Sequence, residues 1–165
     1  MTFNIEVETQ IELGIDYTTI TDRVINEVLD FEKCPYEVEV NLILTDNTEI
    51  HKVNMEYRKI DRPTDVLSFP TIEYLTPSDF SSVEDNVEDY FNPETGELIL
   101  GDIILSVEKV LEQATSYQHE VTREYAFLLA HSMFHLCGYD HMEAEEAKVM
   151  ENKQNEILSR LNINR

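Results

Sequence analysis

Positive charge is scarce in this sequence. Twelve lysines and arginines stand against 34 aspartates and glutamates, a formal net charge of −22. A field of that sign repels phosphate backbones at long range. It argues against a nonspecific nucleic-acid binder, whose affinity comes from counterions displaced by lysine and arginine. Any activity on nucleic acid has to rest on a local basic spot or on a metal. Cysteine is scarce too: Cys34 and Cys137 are the only two. Two thiols this far apart exclude a disulfide framework and read as reduced, buried residues. There is no run of about 18 apolar residues, so neither a membrane span nor a membrane partner is expected. The opening MTFNIEVETQIELG has no basic segment leading into an apolar one. A cytoplasmic location is the expectation.

What is present suits one globular domain of 165 residues. Residues 3–12 alternate loosely, as a first strand. From Asp16 to Phe31 apolar residues recur at helical spacing, with Asp16 or Thr19 as the cap. Val38, Val40, Leu42 and Leu44 fall on one face of a second strand. Asp46 and Glu49 open a helix that presents Ile50, Val53 and Tyr57 inward and ends near Arg58. DRPTD (61–65) is a turn, and VLSFP (66–70) a short strand. Residues 71–97 hold many acids and no basic residue. They read as an acidic surface loop; a lid or a docking surface for a basic partner is the sharper alternative. LILGDIIL (98–105) is apolar enough for a strand buried on both faces. Helices from Ser106, over 121–136 and over 143–161 follow. The expected fold is α+β, a small mixed sheet packed by helices.

The chemistry concentrates in HSMFHLCGYDH (131–141). Residues four apart on a helix share a face, so His131 and His135 project side by side. Gly138 can take a positive φ and let the chain deliver His141 to the same point. Three neutral imidazoles form a catalytic zinc set with one position open. The ligand type favours zinc among first-row metals, as a single ion. The spacing is that of a zinc peptidase helix, but Ser132 occupies the position of its catalytic glutamate. Serine cannot shuttle protons as that glutamate does. Phosphodiester hydrolysis depends more on charge stabilisation and suits such a site if an arginine is near. His51 and His119 match no ligand spacing; His119 could support a ligand from behind. Asp65 reads as a cap or salt-bridge residue. Asp102, if buried, needs a partner, either an arginine or a ligand imidazole. Asp140 reads as a turn-former and Tyr139 as packing.

Three blocks carry a resemblance to a known family. They are NMEYRKIDRPTDVLSFP (54–70), LGDIILS (100–106) and REYAFLLAHSMFHLCGYDH (123–141). Together they resemble the YbeY family of bacterial metal-dependent single-strand endoribonucleases. The resemblance implies metal ligation by His131, His135 and His141 and a catalytic Arg58. It also implies action on ribosomal RNA, including the 3′ end of 16S rRNA, in maturation and ribosome quality control. The implied partners are single-stranded rRNA and the ribosome or its small-subunit proteins. Ser132 departs from the family's glycine, and Gln118 and Glu120 from a glycine and a serine. Two other readings stay open: an assembly factor acting mainly by binding, and a metallopeptidase-like hydrolase.

Overall fold

The computed structural model describes residues 1–163. Among them four strands form one mixed sheet in the order β1-β2-β4-β3. β1 (Thr2–Val7), β2 (Val38–Thr45) and β4 (Leu98–Ser106) run parallel, and β3 (Val66–Pro70) is an antiparallel edge. The helices are α1 (Tyr17–Phe31), α2 (Asn47–Arg58), the short α3 (Val87–Tyr90), α4 (Val107–Ser116), α5 (Val121–Leu136) and α6 (Ala144–Arg160). This is the expected α+β arrangement, and each of the four expected strands is present. The first strand stops at Val7, earlier than its loose alternation suggested.

Local chemistry starts the helices where the sequence indicates. Asp16 accepts from Thr19 N at 3.2 Å, Asp46 from Glu49 N at 3.0 Å and Ser106 from Lys109 N at 3.3 Å. Each satisfies a backbone donor that has no partner inside its helix. α5 has no side-chain cap. Packing holds it instead: ten of its residues are buried, Tyr125, Leu129 and Phe134 among them. It crosses the middle of the domain, touching α1, α4, α6 and β3.

One face of the sheet carries the core, with Val40, Leu42, Leu100, Ile103 and Leu105 almost without exposure. The other face is partly open, and this corrects the reading of Asp102. It is exposed and accepts from Asn41 Nδ2 at 3.0 Å, while Asn41 Oδ1 accepts from Asn4 at 2.8 Å. Three polar side chains thus line up across three strands, and neither an arginine nor a metal ligand is involved. Tyr57, expected inward, is 64% exposed. Asn54 is buried in α2 where Tyr57 was expected to be.

Residues 71–97 are also more structured than a solvated loop. Ile72, Phe80 and Val83 are buried, and a 3-10 turn (Val83–Asn86) leads into α3. Most of the acids stay outside, although Glu97 is buried against Thr2 and the N-terminal amine, while Ile72, Phe80 and Val83 dock on the core. Tyr74 donates to Leu136 O at 2.7 Å, and Ser78 N donates to Cys137 O at 2.7 Å. The segment thereby satisfies carbonyls left free at the end of α5. Cys137 is buried, Cys34 is half-buried, and both are free thiols.

Gly101 brings the sheet close to α5. It sits where β4 gains one extra residue against β2, at φ +151°. A Cβ there would collide with the Phe69 carbonyl and stand 2.8 Å from Leu136 Cδ2. Leu136 follows His135 directly, so this close approach seats the end of the helix that carries the histidines. Gly101→Ala is expected to cost at least about 1–3 kcal/mol from backbone strain alone. A urea titration of both proteins checks this; an unchanged midpoint would contradict it.

Candidate metal centre and cleft

The last turns of α5 present His131 and His135 at the one side of the helix that other elements leave open. Both are half-buried. Gly138, at φ +97°, turns the chain. A Cβ at this position would lie 2.8 Å from the ring of Tyr74, so only glycine fits the turn and its cover. The chain then returns His141, and one ring nitrogen from each of the three histidines lies within 4.8 Å of the others. His131 Nε2 and His135 Nε2 are 3.1 Å apart.

Hydrogen bonds on the far sides of these rings decide which nitrogens are free. His135 Nδ1 lies 2.9 Å from the Tyr139 carbonyl, which can only accept. Nδ1 therefore carries the proton, and Nε2 offers a lone pair. His131 Nδ1 faces Gln154 Oε1 at 3.3 Å with the same consequence. Two lone pairs consequently face each other, and only a cation between them satisfies both. Ligands about 2.0–2.1 Å from a tetrahedral ion stand roughly 3.3 Å apart. The donor set and its spacing fit a metal ion.

Sequence reasoning missed both supports. Gln154, on α6, is 3% exposed. Tyr139 is held by Glu32, which accepts from its hydroxyl at 3.0 Å, and by Lys153, 4.9 Å from its ring. Lys153 also pairs with Glu32 at 3.1 Å. A buried glutamine on an otherwise amphipathic helix was the signal available for Gln154. Nothing local marks a backbone carbonyl as a histidine support.

A proton is a poor occupant of this site. Burial, then the His131 and His141 rings beside it, pull the His135 pKa down to about 4. Burial lowers that of His131 as well. The ordinary value is near 6.5. The folded state therefore binds fewer protons than the unfolded state between about 4 and 6.5. The stabilisation is complete above about 6.5 and is lost as pH falls towards 4. Chelator-treated protein should melt earlier over that window, and His135→Gln should flatten that part of the loss. Parallel profiles for the two proteins would contradict this.

The three histidines open into a cleft of about 550 Å³ that Arg58, Arg62, Asp65 and Ser68 also line. All four candidate site residues, Arg58, His131, His135 and His141, therefore border one space. Arg58 is exposed at the end of α2, and its Nη1 donates to Asn54 Oδ1 at 3.4 Å. Asn54 in turn donates to the Arg62 carbonyl at 2.9 Å, which ties the helix end to the following turn. Asp65 lines the cleft, and its Oδ1 accepts from Val66 N at 2.7 Å, in keeping with the capping role read from the sequence. Asp140 forms the expected turn, accepting from His141 N at 2.7 Å.

Ser132 has no exposure, and its Oγ lies 2.6 Å from Ser68 Oγ. It joins α5 to β3 and does not face the open cleft. His51 bonds Asp61 at 2.7 Å, outside this space. His119 lies against Glu124 at 3.5 Å near the start of α5 and supports no ligand.

Comparison with known proteins agrees with this geometry. The family model described as Endoribonuclease YbeY matches residues 4–162. A relative in Lachnospira eligens, named Endoribonuclease YbeY, is 60% identical with all of both chains covered. One of the same name in Agathobacter rectalis is 58% identical, again over all of both chains. The fold is shared with the solution structure of TM1509 from Thermotoga maritima, with TM-score 0.55 and 23% identity. That match covers 98% of this chain and 92% of the other. On the strength of its matched length and of these relatives, the chain belongs to the YbeY endoribonuclease family.

Proposed function

We propose that the protein is a zinc-dependent, single-strand-specific endoribonuclease that acts in ribosomal RNA maturation, including the 3′ end of 16S rRNA, and in ribosome quality control in the cytoplasm. The observation that carries this reading is the convergence of imidazole lone pairs in an open cleft beside an arginine that has no ion-pair partner among the described residues. His131, His135 and His141 would hold the ion. Bound there, zinc supplies Lewis acidity towards a phosphoryl oxygen or a water. Arg58 supplies a fixed positive fork where negative charge grows on the phosphodiester. Asn54 holds that guanidinium from behind.

Ser132 speaks against a peptidase. It is buried and hydrogen-bonded, and no glutamate stands in its place. Among the described residues no helix is long and apolar enough to cross a membrane. The test is cleavage of an unstructured RNA by zinc-loaded protein, beside its chelated form and a duplex of the same sequence. Chelator-sensitive cleavage of the single strand alone is expected. Folded, zinc-loaded protein that leaves RNA intact would sink the enzymatic reading.

The net charge of −22 favours a second reading, an assembly factor that docks on basic small-subunit ribosomal proteins. Normal rRNA maturation in cells carrying His135→Ala would support it over the nuclease.

A further inference from the structure

The cleft contains a second arginine that the histidine chemistry does not use. Arg62 is exposed and lines the same space as Arg58. Neither has an ion-pair partner among the described residues. The carboxylates that flank Arg62 in sequence are engaged elsewhere. Asp61 bonds His51 at 2.7 Å, and Asp65 accepts from Val66 N at 2.7 Å. The Arg62 backbone is fixed by Asn54, the same side chain that holds the Arg58 guanidinium. One buried side chain thus ties the Arg58 guanidinium to the Arg62 backbone, and both arginine side chains stay exposed at the cleft.

Beside them lies an exposed aromatic ring. Tyr57 precedes Arg58 on the last turn of α2 and is 64% exposed. Its ring meets Phe69 edge-on at 5.4 Å, which fixes its direction. Phe69 sits on β3 between Ser68 and Pro70, and both of those line the cleft. Alternation turns Phe69 to the other face of this edge strand, with Tyr57 against it, so a strand that leaves the cleft reaches the Tyr57 ring by wrapping over the edge. A protein of net charge −22 cannot gather RNA through its long-range field. Its affinity has to come from a few local contacts, and unpaired bases stack on aromatic rings regardless of sequence.

From this arrangement we infer that the α2–β3 side of the cleft is a nucleotide subsite of single-stranded RNA. Arg62 binds the phosphate next to the one at Arg58, and Tyr57 stacks the base of that nucleotide. The subsite rests on the nuclease reading above. It binds and positions the strand and takes no part in the bond cleavage.

The experiment is steady-state cleavage of an unstructured RNA oligonucleotide by zinc-loaded wild type, Arg62→Ala, Tyr57→Ala and Tyr57→Phe. Both positions are exposed, and circular dichroism checks that each variant is folded. Arg62→Ala is expected to raise KM about tenfold with kcat unchanged. It should also reduce the slope of log KM against log salt by about 0.7, the loss of one phosphate contact. Tyr57→Ala should raise KM about tenfold, and Tyr57→Phe should behave as wild type, because stacking needs only the ring. Wild type that cleaves, with Arg62→Ala matching its KM and salt slope, overturns the subsite alone. Tyr57→Phe as weak as Tyr57→Ala overturns the stacking role. Wild type that cleaves nothing overturns the nuclease reading and the subsite with it.

Discussion

Arg58→Ala should lower kcat on single-stranded RNA by about 10²–10³-fold, the typical cost of deleting one donor aimed at transition-state charge. Metal content should stay that of wild type. Among the described residues Arg58 donates to no metal-ligating histidine, and its one side-chain hydrogen bond is to Asn54. It is exposed at a helix end, but buried Asn54 loses the donor to its Oδ1, so circular dichroism has to show that each variant is folded. A cation at the last turn of a helix does contribute about 0.3–1 kcal/mol to stability. That explains a small shift in melting but no large loss of turnover. Arg58→Lys separates charge from geometry. Lysine keeps the charge but lacks the planar fork, so it should recover only part of the rate. Turnover on one RNA substrate, with zinc measured in each preparation, checks the set. Arg58→Ala within about threefold of wild-type kcat would remove Arg58 from the chemistry.

The contrast between Arg58 and Arg62 shows what a sequence can reveal of such a cleft. The histidine helix was legible because α-helical geometry alone brings His131 and His135 together, and Gly138 announces the turn to His141. Arg58 became visible only through the block it shares with a family. Nothing in its own neighbourhood distinguishes it from a helix-terminal cation. Asn54 was passed over in favour of Tyr57. Periodicity ranks residues by apolarity, and a buried amide that bonds across a turn violates that ranking. Gln154 is 23 residues from the ring it supports, and no local pattern encodes so distant a contact. Residues 71–97 misled in the other direction. Their charge suggested solvation, yet Ile72, Phe80 and Val83 anchor them and Tyr74 covers Gly138. Asp102 was misjudged because a nearly continuous apolar strand looks buried on both faces, whereas this sheet leaves one face partly open.

His135→Ala is expected to abolish stable zinc binding, and Gln154→Leu to weaken it by a smaller, separate step. Zinc held at four positions yields roughly 10–16 kcal/mol, about 2.5–4 kcal/mol for each. Losing one imidazole should therefore weaken binding by about a hundredfold or more. Gln154→Leu keeps all three imidazoles and roughly the buried volume. It removes the acceptor that holds the proton of His131 on Nδ1, so the ring can present the wrong nitrogen to the ion. Loss of such a support costs about tenfold or more in affinity. Gln154→Glu tests the same contact from the other side. A carboxylate accepts more strongly from Nδ1 and raises the basicity of Nε2, so binding should recover or tighten. Competition against a chromophoric chelator at about pH 7.5, where the histidines are neutral, measures all three without reference to RNA. The order expected is Gln154→Glu at or above wild type, then Gln154→Leu, then His135→Ala. If Gln154→Leu binds zinc as wild type does, the hydrogen bond between α6 and His131 is packing and does not tune the ligand. If His135→Ala also binds as wild type does, the lone pairs that face each other across 3.1 Å are not a metal site.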